Sequence, residues 1–373
     1  MNSSEKKRHG MKNWLKILSA ALVVMLAAFT AIACGEPEAE ESEPLDYEIG
    51  FVIAGSTVEE LPIENDIWQA LIEFGESNGN SHRYYTAETH DQVDYLNCVK
   101  SAVSNGVKVI VTQGHEMAPV VRIAQKKYPD VDFIHIQGAM NSRNEGKGDL
   151  DPASNTLKIS FCEEQAGFLA GYGCVKNKNW KLSIIGNSSN KASENYAAGF
   201  LQGAEAAAEE MGVSDVTVKC RMYRNGQYRE KIRRLASRLY RNDTEVIFVC
   251  DSRYYAPVAE AAENNDGEFI CSESDKSAEY ENVMTSAARD YNGALNYALT
   301  KHFDNKFPGG KTMRMGALRD SVMLPMDESE FDDFSEQAYE KIYKRLSSGS
   351  VKVKKAPSDL SELGLEIVSL QMI

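Results

Sequence analysis

Two carboxylates, Glu273 and Asp275, directly follow a short apolar segment at residues 268–271 that is typical of a β-strand. A carboxylate at the end of a strand can accept hydrogen bonds from two adjacent hydroxyl groups, such as those of a ribose. The alternative interpretation is a solvated turn in which neither side chain contacts a ligand. We therefore regard Glu273, and after it Asp275, as candidates for binding a small polar molecule.

Aromatic and charged side chains follow two other predicted strands. Tyr223 ends one of them, and the loop after another begins with Asp251, Arg253 and Tyr254. A tyrosine ring offers a flat face on which a base can stack, although each ring could equally serve ordinary packing. Asp251 and Arg253 could contact the same ligand or pair with each other.

Further polar and aromatic side chains lie near predicted loops. His115 follows the strand at 107–112 and could donate a hydrogen bond or stack, or be a plain loop histidine. Trp68 could reach a cleft from the first helix, or pack that helix on its sheet. Glu163 and Glu164 begin a helix, where carboxylates favour the positive end of the helix dipole, so we interpret them as helix-start charges.

Sequence signatures of catalysis are missing. His115 and Glu116 lack the second histidine of a zinc-protease helix, and no nucleophile elbow, Walker loop or dinucleotide fingerprint occurs. No cysteines form a Cys-x-x-Cys pair, and no histidine is placed to complete a zinc site. We therefore predict that the protein is not an enzyme and has neither a cofactor nor a metal. The cysteines other than Cys34 are expected to be buried free thiols rather than disulfides.

Strands and helices must position these residues, and the chain alternates between them twice. Apolar segments typical of parallel strands and amphipathic helical segments follow one another before and after residues 158–173. This pattern predicts an α/β protein with two lobes of the periplasmic-binding-protein type (type I), each an open, mostly parallel sheet flanked by helices. Ligands of such sheets bind at the carboxyl ends of the strands, here in the cleft between the lobes.

The order of the segments predicts where the lobes divide. We expect residues 47–158 and 286–310 to form the N-terminal lobe, residues 159–285 and 311–350 the C-terminal lobe, and residues 351–373 a C-terminal tail. Small residues recur on one face of the helix after residue 162, which would let it lie close to a neighbouring backbone. The last elements are predicted as a hairpin or bent pair at 313–317 and 322–324, a helix at 331–346 and an edge strand at 351–355.

The first 46 residues have the composition of an export signal and a tether. A basic start precedes an apolar run at 17–32, shortly before Cys34. The run resembles a lipoprotein signal, so residues 1–33 would be a cleaved peptide and Cys34 a lipidated N-terminus; ordinary secretion or an uncleaved anchor are the alternatives. Residues 34–46 are acidic and contain proline, as in a solvated tether.

The charge of the chain limits its partners. The formal net charge is −14 at pH 7. Nucleic acids and anionic lipids attract basic proteins, so this acidity argues against either of them as a partner. We therefore expect contact with a membrane through the lipid anchor only, and no nucleic acid.

Four segments are similar to those of one protein family. They are GHEMAPVVRIAQKKYPDVDFIHI at 114–136, SFCEEQAGFLAGYGC at 160–174, NYAAGFLQGAEAA at 195–207, and CSESDKS with NVMTSAARD at 271–290. On these segments the chain resembles the basic membrane lipoprotein (BMP, PnrA-like) family of ABC-transporter substrate-binding proteins. The resemblance implies capture of nucleosides, with the base between aromatic rings and the ribose hydroxyls on carboxylates, and delivery to an ABC permease.

The resemblance assigns ligand contacts position by position. Glu273 stands at the ribose-binding Asp of the family, and Asp275 at the second Asp of that motif. The other positions carried over are Asn65, His115, Tyr223 and Arg319.

Three departures from the family pattern affect specificity. The first loop lacks its Asp-x-Ser-Phe portion, Glu273 replaces an Asp, and CDSRYY at 250–255 replaces a glycine-rich turn. We therefore predict a lipid-anchored protein on the extracytoplasmic face of the cell membrane that binds a small polar solute, foremost a nucleoside or nucleobase. The alternatives are a different small solute, or a ligand-sensing surface receptor or regulator of the same fold.

Overall fold

The structure, a computed structural model, describes residues 46–55, 57–58, 61–137, 150–224 and 227–373. The predicted signal peptide, most of the predicted tether and Cys34 lie outside these residues. Among the described residues, no helix combines the length and the apolar character needed to cross a bilayer. Residues 46–373 form one compact unit that contains both sheets and their apolar cores, so this part has the core it needs to fold by itself.

Strands and helices alternate along the described chain, as the sequence predicts. The strands are β1 (Ile49–Ala54), β2 (His82–Ala87), β3 (Val109–Gln113), β4 (Asp132–Ile136), β5 (Thr156–Phe161), β6 (Lys181–Asn187), β7 (Thr217–Tyr223), β8 (Val246–Val249), β9 (Glu268–Glu273), β10 (Val283–Arg289), β11 (Lys311–Met315), β12 (Val322–Met323) and β13 (Ser369–Met372). The helices are α1 (Pro62–Asn78), α2 (Gln92–Ser104), α3 (Ala118–Lys127), α4 (Glu163–Lys176), α5 (Lys191–Met211), α6 (Arg229–Tyr240), α7 (Tyr255–Glu263), α8 (Tyr291–Phe303) and α9 (Glu336–Ser347).

The strands form two separate sheets, one in each lobe. The first sheet has the order β11-β5-β4-β3-β1-β2, and the second has the order β12-β10-β9-β8-β6-β7-β13. All the strand pairs are parallel except β10 with β12. Both sheets are covered by helices on both faces, which explains why their strands read as continuous apolar segments. The two-lobed α/β fold predicted from the sequence is confirmed.

Each sheet has two apolar layers. In the first lobe, α1 and α8 cover one face and α2 and α3 the other. In the second lobe, α4, α5 and α9 cover one face and α6 and α7 the other.

Helices α4 and α5 pack with almost no side chain between them. A Cβ atom on Gly167 or Gly171 would lie well under 3.0 Å from carbonyl oxygens of α5, and the same holds for Gly199 and Gly203 against α4. Only glycine permits this approach of two backbones. The prediction that the small residues of α4 face a close neighbour is therefore confirmed.

The predicted hairpin near residue 320 is wrong. Strand β11 pairs in parallel with β5 of the first sheet, whereas β12 pairs antiparallel with β10 of the second. The chain crosses between the lobes at Gly316, so two segments that are close in sequence belong to different sheets. Strand β11, placed in the C-terminal lobe by the sequence analysis, thus lies in the first sheet.

The predicted edge strand at 351–355 is also wrong. The side chain of Gln202 on α5 donates to the carbonyl oxygen of Lys354 at 2.8 Å and accepts from its N–H at 2.9 Å. These are the two hydrogen bonds that a neighbouring strand would supply, so the segment lies along α5 instead. The edge of the second sheet is formed by β13, which pairs with β7, and Leu360, Leu363 and Val368 join the core of that lobe. Residues 351–373 are therefore an integral part of the second lobe.

The start of α9 differs from the prediction, whereas the cysteines agree with it. The helix predicted at 331–346 begins only at Glu336, because the side chain of Ser335 accepts a hydrogen bond from the N–H of Ala338 and caps it. The six described cysteines are free thiols, and five of them are buried, as expected.

Candidate ligand site between the lobes

Three crossing segments connect the lobes, and polar contacts bind them to one another. They are the junctions β5–α4 at 161–163, β10–α8 at 289–291 and β11–β12 at 315–317. Arg314 donates to Glu164 at 2.7 Å, and the N–H of Ala317 donates to the side-chain oxygen of Gln165 at 2.9 Å. The first turn of α4 is thus the common partner of the crossing segments.

A buried guanidinium lies at the centre of this junction. The side chain of Arg289, at the end of β10, is 3% exposed and donates to Glu163 at 3.3 Å. Its guanidinium also lies over the ring of Phe161, 5.5 Å from the centroid. The Nε atom of Arg289 has no hydrogen-bond partner among the described residues. Such a buried donor carries a desolvation cost unless a further group accepts a hydrogen bond from it.

Glu273 lies close to Arg289 and has an unusual backbone. It is buried at the end of β9 and has a φ of 69°, a region that L-residues rarely adopt, and its N–H donates to the hydroxyl of Tyr196. Burial raises the pKa of its carboxyl, while the positive charge of Arg289 opposes the shift. A strained, buried and titratable residue at a strand end is typical of a functional site.

A cavity of about 220 Å³ opens beside this pair, between α1 of the first lobe and the strand ends of the second. Its lining includes Asp66 and Gln69 from α1 and Tyr291 from the start of α8, all in the first lobe, and Asp275 and Arg289 from the second lobe. Burial raises the pKa of Asp66 to about 6; Asp275 adds to this rise and Lys276 opposes it. Both lobes therefore contribute polar groups to one open cavity.

Asp251 and Arg253 pair with each other, which was the alternative left open by the sequence. Asp251 accepts from Arg253 Nε at 2.8 Å and Nη2 at 2.7 Å, and from the amide of Asn187 at 3.0 Å. The rings of Tyr223 and Tyr254 pack edge to face, 6.2 Å apart, within a core layer of the second lobe. All these residues belong to strand ends of the second sheet, but none lines the cavity.

The other predicted positions are spread over the molecule. Trp68 packs edge to face on His82 and Tyr84, inside the first lobe. His115 is exposed after β3, and Arg319 lies over the ring of Tyr297, 4.9 Å from its centroid. Asn65 is in the first turn of α1 and accepts from Gln69 at 3.4 Å. Of the predicted ligand residues, the structure brings Asp275 to the cavity lining and Glu273 next to Arg289.

Sequence reasoning missed Arg289, Glu163 and Asp66. Glu163 was interpreted as a helix-start charge; it is in the first turn of α4, but it is also buried and paired with Arg289. The available signal was a lone arginine at the end of a strand that carries no other charge, since such a charge requires a buried partner. No group of three or more metal-ligating side chains occurs among the residues that the structure describes.

One family profile matches most of the chain. The profile of the family described as "ABC transporter substrate-binding protein PnrA-like" matches residues 48–359. Basic membrane protein D of Borreliella burgdorferi (strain JD1) is 25% identical over 298 residues, covering 75% of this chain and 83% of the relative.

Solved structures share the fold at low sequence identity. An ABC transporter solute-binding protein from Conexibacter woesei has a TM-score of 0.64 at 14% identity and covers 83% of this chain and 99% of its own. A transcriptional activator of the comK gene from Bacillus halodurans has a TM-score of 0.61 at 16% identity, with the same coverage.

Proposed function

Because this chain belongs to the PnrA-like family of ABC transporter substrate-binding proteins, we propose that it captures a nucleoside or nucleobase between its lobes and delivers it to an ABC permease. The proposal includes a lipid anchor at Cys34 that holds the body on the extracytoplasmic face of the membrane. It includes no reaction at the site, since the role of such a protein is to bind and release a solute.

The observation that carries this proposal is the unpaired Nε of Arg289 beside an interlobe cavity. A bound solute with a carbonyl, ring nitrogen or hydroxyl group would satisfy that donor. Asp66 and Asp275 supply acceptors for hydroxyl or amino groups, as a sugar or a base requires. Glu273, held in its strained conformation beside Arg289, is the further carboxylate that we assign to the ligand.

The size of the cavity indicates how the solute enters. Ligand pockets usually measure about 300–1,000 Å³, and the present cavity of about 220 Å³ is smaller. A whole nucleoside therefore requires the lobes to separate further at the crossing segments. Hinge motion of two lobes about a few connecting residues is an established mode of ligand capture.

One observation favours a different solute. Asp66, Asp275 and Asp290 line the cavity, and Arg289 is the cation among the described residues of its lining. A neutral nucleoside would leave this excess of negative charge uncompensated. A solute with an amino group would balance it, and this is the second candidate.

A thermal-shift screen of residues 46–373 against nucleosides, nucleobases, sugars and amines tests both candidates. Glu273→Gln should weaken binding of the stabilising solute by about 1–3 kcal/mol, because a charge-assisted hydrogen bond is lost. Glu268→Gln is the matched control, since Glu268 lies at the opposite end of the same strand. If no nucleoside or nucleobase raises the melting temperature and an amine does, the nucleoside proposal is wrong. Equal affinities of both variants and the unmodified protein would remove Glu273 from the site.

A further inference from the structure

One flank of the second lobe carries a positive charge that the net charge of the chain conceals. The chain has 41 Lys and Arg and 55 Asp and Glu; residues 219–241 contain nine of the former and one of the latter. This segment therefore has a formal charge of +8, and the remainder of the chain −22. The net charge of the whole chain therefore conceals a basic segment in the second lobe.

Strand β7 and helix α6 arrange four of these cations around one open groove. Arg221 comes from the strand, and Lys231, Arg234 and Arg238 come from the helix. The groove measures about 520 Å³. A helix of 12 residues is about 18 Å long, so the cations extend along a flank rather than converging on one point.

Part of this charge is compensated, and Glu230 itself lines the groove. Glu230 accepts from Arg233 and Arg234, and Glu260 accepts from Arg229 at 3.0 Å. By contrast, Arg221 donates to the carbonyl oxygen of Ile373, and Lys231 to the side-chain oxygen of Gln227.

No acidic side chain of the described residues lies within ion-pair distance of Arg221, Lys231 or Arg238. Arg221 and Lys231 instead lie over the ring of Tyr223, at 5.0 and 5.1 Å from its centroid. Lys231 and Arg238 are thus available to an anionic partner, whereas Arg221 is held by the oxygen of Ile373.

Exposed apolar side chains line the same groove. Tyr228 is 88% exposed and Ile373 is 39% exposed. Tyrosine is enriched where proteins meet the headgroup region of a bilayer, because its ring is apolar and its hydroxyl is polar. Basic side chains next to such a residue are the composition of a surface that binds anionic membranes.

We propose that the basic face formed by Arg221, Lys231, Arg234, Arg238 and Tyr228 contacts the anionic headgroups of a phospholipid membrane. Guanidinium and ammonium groups donate to lipid phosphates, and the tyrosine ring lies among the headgroups. Charges on the other faces are screened beyond about 8 Å at physiological salt, so they do not cancel this local attraction. The net charge of −14 therefore does not exclude anionic lipid, contrary to the expectation from composition.

Sedimentation of residues 46–373 with phospholipid vesicles tests the proposal without any lipid anchor. The unmodified protein should bind vesicles containing phosphatidylglycerol, bind pure phosphatidylcholine weakly, and dissociate as NaCl rises from 50 to 500 mM. Each basic residue at such a surface is worth about 1 kcal/mol, or roughly fivefold in partition. The variant Lys231→Glu, Arg234→Glu, Arg238→Glu should therefore lower partition on the order of 100-fold or more.

The matched control carries the same change of charge on another face. Lys341, Lys344 and Lys352 are exposed in the second lobe, and their replacement by Glu should leave most of the binding intact. Circular dichroism confirms that both triple variants are folded. Equal loss in both variants would show a bulk charge effect and overturn the proposal. Absence of binding to phosphatidylglycerol by the unmodified protein would overturn it as well and would direct attention to an acidic protein partner. Neither result depends on which solute the cleft binds.

Discussion

Replacement of Arg289 by Met gives the sharpest test of the interlobe junction. The guanidinium is 3% exposed, and it is the cation that Glu163 contacts at 3.3 Å and that opposes the raised pKa of Glu273. Removing one partner of a buried ion pair costs about 3–5 kcal/mol, because the other charge stays buried and unpaired. We expect Arg289→Met to lower the free energy of unfolding by that amount at pH 7.

Urea unfolding, followed by circular dichroism, measures this loss. The double variant Arg289→Met, Glu163→Gln should recover part of it, since the second change removes one of the unpaired charges. Arg229→Met is the control, because Arg229 pairs with Glu260 at the surface and such pairs contribute about 1 kcal/mol or less.

The pH dependence of the loss has a defined sign. Without Arg289, the folded-state pKa of Glu273 should rise further above its unfolded value of about 4.5. A carboxyl with a raised folded-state pKa contributes stability below its unfolded pKa and loses it as the pH rises through the folded pKa. The deficit of Arg289→Met should therefore be largest near pH 7 and shrink toward pH 4.5. A loss below 1 kcal/mol, or one that stays constant over this range, would refute the account of the junction.

Two further predictions concern packing and titration. Gly171→Ala should lower the free energy of unfolding by at least about 2 kcal/mol, because its Cβ would overlap the carbonyl of Phe200. Chemical denaturation checks this, and an unchanged free energy of unfolding would contradict the close approach of the two helices. Asp66→Asn should flatten the pH dependence of solute affinity around pH 6, since the pKa of Asp66 is raised to about 6 in the free protein. Calorimetric titration between pH 5 and 7 measures this, and an unchanged profile would exclude Asp66 as the titrating group.

The fold could be predicted because its signals are local. Parallel strands buried on both faces appear in the sequence as continuous apolar segments. The amphipathic helices between them show apolar residues at helical spacing, so the alternation of strands and helices in two lobes could be predicted. The close packing of α4 on α5 was also predictable, since glycine and alanine recur at helical spacing in α4.

The candidate site was only partly predictable, because its central contacts join distant segments. The partner of Arg289 is 126 residues away in sequence, and Arg314 and Glu164 are 150 residues apart. Glu163 could be a solvated charge at the start of α4 or one half of a buried ion pair. The outcome depends on the position in the fold of Arg289, at the end of β10. The same limit applies to β11, whose sheet is decided by its neighbour β5 rather than by its own residues.

The position of β11 also constrains how the chain reaches its native state. The first sheet receives its outermost strand only after β6 to β10 of the second lobe have been synthesised, and the second sheet receives β13 from residues 369–372. Neither sheet can be completed before its late strand, β11 or β13, has been synthesised. Until then, each sheet has an unpaired edge strand. Long-range pairing of this kind slows folding and prolongs exposure to edge-to-edge association. A chain of this topology is therefore expected to fold more slowly than one whose sheets are built from neighbouring segments.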